Sequence, residues 1–76
     1  MILEAPRKAR KTKLIASVVR AARLLRAFSR ERPEMGITEL AHVLRLPPSS
    51  VYRLVSSLES EGLVEQDPTT GRYRLS

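Results

Sequence analysis

With 76 residues and no cysteine, the chain can form one small domain, and disulfide bonds and thiolate metal sites are excluded. Fourteen lysine and arginine residues against eight acidic residues give a net charge of +6, which favours a polyanionic partner, most often nucleic acid. No apolar run approaches the length of about 20 residues that a membrane-spanning helix needs, so we expect no membrane contact.

The N-terminal residues are basic and show little hydrophobic periodicity. Residues 1–13 carry five cations and one acid, a net charge of +4, and are predicted to form a flexible arm ahead of a folded domain over residues 14–76. The arm either contacts phosphates nonspecifically or is a solvated tail. Its candidate phosphate contacts are Arg7, Lys8, Arg10, Lys11 and Lys13.

The first predicted helix runs from Leu14 to about Arg30, because apolar residues recur there with helical spacing. The side expected to face the core consists of Leu14, Val18, Ala21, Leu24, Leu25 and Phe28. The opposite side, apart from Val19, consists of Arg20, Arg23, Arg26 and Arg30. This basic stripe either touches phosphates or is the solvent-exposed side of the helix, and we favour the second interpretation. Pro33 and Gly36 are predicted to form a loop after the helix.

The second predicted helix starts at Thr38, whose hydroxyl is expected to act as the N-cap. Its apolar residues, at i, i+3, i+4 and i+7, are Ile37, Leu40, Ala41 and Leu44. Arg45 and Leu46 form the turn that follows. His42 points away from the apolar side, and a lone exposed histidine is rarely a metal ligand.

The third predicted helix begins at Pro48, where a missing N–H costs nothing, and ends at Gly62, a favourable C-cap. Its buried side is predicted to consist of Val51, Leu54, Val55 and Leu58. The segments "LVEQ" and "RYRL" then predict a β-hairpin around "DPTTG", in which Asp67 has a turn role. A hairpin this small must pack beside the last helix.

Three helices followed by a two-stranded hairpin predict a mostly α fold, the three-helix winged helix-turn-helix. The third helix, about residues 48–61, would enter the major groove of double-stranded DNA, with the wing, about residues 63–75, on the backbone or in the minor groove. Arg53 can donate two hydrogen bonds to guanine, whereas Thr38 is a secondary candidate for phosphate contact. The candidate DNA contacts are Ser49, Ser50, Tyr52, Arg53, Ser56, Ser57, Thr38 and Arg72.

A winged-helix module that docks a partner protein through the same face is the alternative, although Tyr52 is the only large side chain there. RNA binding is a third interpretation, weakened by a content of only three aromatic residues. An enzyme is not indicated, because the chain lacks a Gly-rich phosphate loop, a His/Cys pair and clustered carboxylates. We therefore expect no catalytic or metal site and no cofactor, and a cytoplasmic location.

The runs "SVVRAARLLRAFS" and "ITELAHVLRLPPSSVYRLVSSLESEGLVEQDPTTGRYRLS" closely resemble the N-terminal DNA-binding domain of IclR-type bacterial transcriptional regulators. The resemblance implies a homodimer that reads a pseudo-palindromic operator, with dimer contacts partly through the first helix, which would explain Val19. It also implies a larger C-terminal domain that binds a small-molecule effector. We therefore expect the chain to be a piece of a longer regulator, with a free-standing domain as the alternative.

By position in the resemblance, Ser49, Ser50, Tyr52 and Arg53 fall in the family's recognition helix and Arg72 in its wing. The remaining contacts follow from the predicted fold alone.

Two residues depart from the family pattern. Arg45 stands in the turn where the family often has glycine, and a left-handed conformation there would cost arginine about 1 kcal/mol or more. Pro48 stands where family members usually carry a polar or basic residue. The proline removes one phosphate or base contact, so we expect an altered site preference.

Overall fold

The computed structural model describes residues 12–76, and four of the basic arm residues, Arg7, Lys8, Arg10 and Lys11, lie outside the described residues. Three helices and three short strands make up the described chain. In chain order they are α1 (Ala16–Ala27), β1 (Glu34–Met35), α2 (Ile37–Leu44), α3 (Pro48–Ser60), β2 (Val64–Gln66) and β3 (Tyr73–Leu75). The predicted three-helix winged helix-turn-helix is confirmed, and β1 is an element that the sequence analysis did not include.

The first helix is shorter at both ends than predicted. It ends at Ala27 because the chain turns there: the Arg32 N–H donates to Ser29 Oγ, and the Ser29 N–H donates to the Arg32 carbonyl, both at 3.1 Å. Leu24 and Phe28 are buried, as predicted. Only the C-terminal half of α1 is therefore covered by the rest of the domain.

The N-terminal end of α1 is exposed, so the prediction that Leu14 and Val18 face the core is wrong. Their exposed fractions are 57% and 61%, because the other helices cover α1 only from about Ala21 onward. Together with two neighbours they form an exposed surface, the α1 apolar patch, which consists of Leu14, Ile15, Val18 and Val19.

The second helix begins at Ile37, with Gly36 rather than Thr38 as its N-cap, so the predicted capping role of Thr38 is wrong. The Gly36 N–H instead donates to Glu39 Oε1 at 3.4 Å. A glutamate at the third helical position can reach back in this way and satisfy a backbone N–H. The predicted apolar side is confirmed: Leu40, Ala41 and Leu44 are buried, and Ile37 packs against them.

The turn after α2 contains a left-handed residue. Arg45 has φ 59° and ψ 46°, and it is the one non-glycine residue with positive φ in residues 12–76. The backbone N–H groups of Arg45 and Leu46 both donate to the Ala41 carbonyl, the second at 3.1 Å. The conformation lets α3 begin immediately after the turn, at the conformational cost expected for a residue with a Cβ.

Replacing Arg45 by glycine is expected to stabilise the domain. Relief of the left-handed strain stabilises the folded chain by about 1–2 kcal/mol. The greater conformational freedom of glycine in the unfolded chain offsets about 0.4–1 kcal/mol of this gain. We expect a net gain of about 0.5–1 kcal/mol in the free energy of unfolding, measured by urea denaturation. The Arg45→Ala control keeps the Cβ and should show no such gain; equal stabilisation by both variants would contradict the account.

The third helix begins at Pro48, as predicted. Pro47 before it is extended, with φ −60° and ψ 146°. Its carbonyl accepts hydrogen bonds from the N–H groups of Ser50 at 3.0 Å and Val51 at 3.1 Å. Two successive prolines thus set the first turn, because one is held out of the α region and the next has no N–H to leave unpaired.

The predicted C-terminal cap of α3 is also confirmed. Gly62 adopts φ 77°, and its N–H donates to the Glu59 carbonyl at 2.9 Å. The Leu63 N–H donates to the Leu58 carbonyl at 3.0 Å. These two bonds form a Schellman motif, which ends the helix and directs the chain into β2.

The sheet has three antiparallel strands in the order β1-β3-β2. The predicted hairpin of β2 and β3 is confirmed, and β1 adds an edge strand in which Met35 pairs with Tyr73. Met35, Tyr73 and Val64 are buried, so one face of the sheet packs on the helices. The whole core consists of Leu24, Phe28, Met35, Leu40, Ala41, Leu44, Val51, Val55, Leu58, Val64 and Tyr73.

Asp67 opens the hairpin turn, and its predicted turn role is confirmed. Its Oδ1 accepts a hydrogen bond from the Thr69 N–H at 2.8 Å, and its carbonyl accepts one from the Gly71 N–H at 2.7 Å. The Thr69 N–H stabilises the carboxylate, which holds the pKa of Asp67 below its ordinary value.

Stability should therefore fall in acid through Asp67. Its pKa is lower in the folded than in the unfolded chain, so its contribution is complete above the unfolded pKa of about 3.9 and is lost as pH falls through the folded value. Asp67→Asn keeps the Oδ1 acceptor and should flatten the acid limb of the free energy of unfolding, measured by urea denaturation at each pH. Glu61→Gln is the control, and an unchanged acid limb in Asp67→Asn would contradict the prediction.

Candidate nucleic-acid interface

The outward side of α3 is polar and exposed, as predicted. Tyr52 is 58% exposed and Arg53 is also exposed, while Ser50 and Ser56 are half-buried. The six candidate contacts of this helix follow one another along two turns: Ser49, Ser50, Tyr52, Arg53, Ser56 and Ser57. No other part of residues 12–76 covers the side chains of Tyr52 and Arg53, so α3 can approach a DNA groove directly.

The serines of this face are not equivalent. Ser57 Oγ donates to the Arg53 carbonyl at 2.9 Å, which uses its only hydrogen, so Ser57 can accept a further bond but cannot donate one. Ser49, Ser50 and Ser56 donate to no group within residues 12–76. Their hydroxyls therefore remain available to donate to a phosphate or a base.

A groove of about 220 Å³ separates the N-terminal half of α1 from α3. Ser17 and Arg20 of α1 line it, opposite Arg53 of α3. The α3 side is completed by Ser50, Leu54 and Ser57. Ser17 was not predicted to be a site residue. Arg20 was predicted to lie in a basic stripe that either touches phosphates or faces solvent, with solvent favoured, because helical periodicity does not tell which neighbouring helix an exposed side chain lies beside.

Arg72, the wing candidate, lies against the start of α2. Its Nη2 donates to the Glu34 carbonyl at 2.7 Å and to Glu39 Oε1 at 3.2 Å. Its side chain remains 45% exposed. Thr38 is exposed nearby and borders the same shallow depression. The structure thus brings Arg72 and Thr38 together beside the start of α2.

Arg74 has a structural role in the sheet. It stands between Glu34 of β1 and Glu65 of β2 in the strand register. Its Nε donates to Glu65 Oε2 at 2.7 Å, and its Nη1 donates to Glu34 Oε2 at 3.1 Å. The hydrogen bond to Glu65, reinforced by the one to Glu34, raises the pKa of Arg74. This side chain therefore joins the three strands on their outer face.

The remaining polar candidates are exposed. Lys13 precedes α1 and is exposed, and His42 lies on the surface of α2. Within residues 12–76, no three His, Cys, Asp or Glu side chains come together as metal ligands. None of the helices in that range has the length and apolar composition of a membrane span.

A helix that projects a polar, basic side from a three-helix body, with a β-hairpin beside it, defines a winged-helix DNA-binding domain. The family model of the IclR helix-turn-helix domain matches residues 17–68. The chain therefore belongs to the IclR helix-turn-helix family, and its fold is that of a DNA-binding domain.

Individual relatives agree with this assignment. The chain is 38% identical over 61 residues to a glycerol operon regulatory protein of Streptomyces griseus, covering 80% of this chain and 24% of that protein. An IclR family regulator from Brucella abortus superposes with a TM-score of 0.81 at 29% identity, over 100% of this chain and 27% of that one.

An IclR-type regulator from Alicyclobacillus acidocaldarius superposes with a TM-score of 0.80 at 31% identity, over 84% of this chain and 26% of that one. The chain thus spans about a quarter of the length of the proteins it matches. These relatives are transcriptional regulators, which indicates a DNA-binding rather than a catalytic role.

Proposed function

We propose that the chain reads a specific operator by placing the N-terminal half of α3 in the major groove of double-stranded DNA. The observation that carries this proposal is the outward side of α3, on which Tyr52 and Arg53 stand uncovered beside serine hydroxyls with free hydrogens. A major groove admits one α-helix, and the N-terminal residues of such a helix meet the base edges.

Different side chains of α3 are proposed to make different kinds of contact with the DNA. Arg53 is the candidate base reader, because a guanidinium can donate two parallel bonds to guanine O6 and N7. Tyr52 offers a hydroxyl to a phosphate or its ring to a thymine methyl. Ser49 and Ser50, at the first turn, are short enough to allow close approach and to bond a phosphate or a base edge. Ser56 and Ser57 extend the polar surface by one turn.

The wing is proposed to lie on the backbone or in the minor groove through Arg72. Its ion pair with Glu39 is half-exposed, and such pairs contribute only about 0–1 kcal/mol, so a phosphate can replace the carboxylate. Thr38 is close enough to take part in a phosphate contact. Lys13, and the arm residues Arg7, Lys8, Arg10 and Lys11, would add contacts that do not depend on sequence.

We also propose that two copies bind one pseudo-palindromic operator. The α1 apolar patch supports this, because exposed apolar side chains gathered at one helix end are typical of an association surface. A dimer would place its two α3 helices in successive major grooves, about one helical turn apart. In the whole regulator, a further domain would bind a small-molecule effector, and the protein would act in the bacterial cytoplasm.

The test is selection of bound duplexes from a randomised pool, followed by affinity measurements at several salt concentrations. We expect an enriched motif with two half-sites, and tighter binding to it than to a scrambled duplex at every salt concentration. A steep salt dependence with no enriched motif would leave only nonspecific binding and would overturn the proposal.

A further inference from the structure

The groove between α1 and α3 has the composition of a phosphate-binding surface. Its lining includes two arginines, Arg20 and Arg53, and three serines, Ser17, Ser50 and Ser57. No carboxylate lines the groove. Arg53 belongs both to this groove and to the outward side of α3, so the groove is continuous with the surface proposed to enter DNA.

The ion pairs within residues 12–76 lie at the hairpin and not at this groove. All four ion pairs within residues 12–76 involve Arg72 or Arg74 of the hairpin. These two guanidinium groups meet four carboxylates, so the cluster at the sheet has a formal charge of −2; the carboxylates come from Glu34, Glu39, Glu65 and Asp67.

By contrast, α1 contains three arginines and no acidic residue, and none of its arginines is ion-paired within residues 12–76. The two arginines of the groove, Arg20 and Arg53, are thus among the cations that have no ion pair within residues 12–76, with three of these cations on α1 and the others outside the hairpin. An approaching polyanion is attracted more strongly to these cations than to the hairpin.

We propose that Arg20, together with Ser17, binds a phosphate of the DNA backbone at the edge of the groove that α3 enters. This inference rests on the proposed function and adds to it a contact from the first helix. In this arrangement Arg53 contacts the bases and Arg20 contacts the backbone of the adjacent DNA strand. The phosphodiester lies in the protein groove between α1 and α3. Such a contact carries no sequence information but sets the angle at which α3 lies in the DNA.

The test compares Arg20→Gln with a matched control, Arg26→Gln. Glutamine keeps helix propensity close to that of arginine, and both variants lose one charge from α1. Arg26 is exposed and lies outside the groove. For Arg20→Gln we expect about three- to tenfold weaker binding to the selected and the scrambled duplex alike, and a salt slope about 0.9 smaller per bound chain. Arg26→Gln should keep the wild-type slope.

Three outcomes would overturn the inference while leaving the proposed function intact. An unchanged salt slope in Arg20→Gln would do so, as would equal slopes in the two variants. The third is a loss of affinity in Arg20→Gln for the selected duplex alone, with the scrambled duplex bound as tightly as by the wild-type chain, because a backbone contact carries no sequence information. Loss of the enriched motif in the wild-type chain would instead overturn the proposed function itself.

Discussion

Replacing Met35 by alanine is expected to lower the free energy of unfolding by about 2–5 kcal/mol. Met35 is 0% exposed and pairs with Tyr73 across β1 and β3, so it joins the sheet to the helical core. Truncation removes apolar contacts and leaves a cavity that a small core closes only in part. A domain of this size has about 4–11 kcal/mol in total, so the loss would be a large share of its stability.

Chemical denaturation measures the effect, and two variants control for it. Val43→Ala removes two methyl groups from a side chain that is 40% exposed, and we expect a change below about 0.5 kcal/mol. Met35→Leu keeps the volume and should cost less than about 1.5 kcal/mol. If Met35→Ala were as mild as Val43→Ala, the edge strand would not be part of the folded core.

Replacing Arg53 by alanine is expected to relax base preference at one position of each half-site. A guanidinium that donates two bonds to guanine discriminates by about 1–3 kcal/mol, which the methyl group of alanine cannot provide. The measurement is the affinity for the selected duplex against a duplex altered at that guanine. We expect the wild-type ratio of about five- to 150-fold to fall close to unity in the variant.

The control for this experiment is Arg30→Ala, which removes an exposed arginine that lies outside the α1–α3 groove. It should leave the ratio between the two duplexes unchanged. A uniform loss of affinity for every duplex in Arg53→Ala, with the ratio preserved, would identify Arg53 as a phosphate contact and would contradict its role as a base reader.

The helix-turn-helix was predictable because its boundaries depend on local chemistry. Pro48 and Gly62 act through their own backbone restrictions, and the structure places both as predicted. The left-handed conformation of Arg45 was considered only as a possibility, because the family often has glycine at that position of the turn. Asp67 likewise acts through a neighbouring N–H two residues away.

The missed strand and the exposed end of α1 depend on tertiary contacts, whereas the cap of α2 was decided locally. β1 has two residues, too few to show strand periodicity. Its partners in β3 lie far along the chain, since Met35 pairs with Tyr73 and Glu34 pairs with Arg74. Thr38 had the right side chain for a cap, but Glu39 reached the Gly36 N–H instead. Leu14 and Val18 had the right periodicity, but nothing in residues 12–76 covers that end of α1.

The candidate site likewise has features that the sequence could predict and features that it could not. The polar side of α3 follows from helical spacing alone, so its members could be identified before the fold was known. The carboxylates around Arg72 and Arg74 come from other strands and helices, and the groove beside Arg20 depends on how α1 lies against α3. Pairing and packing between elements decide both features, and sequence spacing does not report them.

The central claim is that the outward side of α3 meets the bases, and an NMR titration of this chain with the selected duplex tests it most directly. We expect the largest changes in amide chemical shift over residues 48–57 and at Arg53 in particular, with smaller changes at Arg72 and Arg20. A scrambled duplex should perturb the arginines without the same response in α3. Shifts confined to the outer face of the sheet or to the α1 apolar patch, with α3 unchanged, would contradict the account.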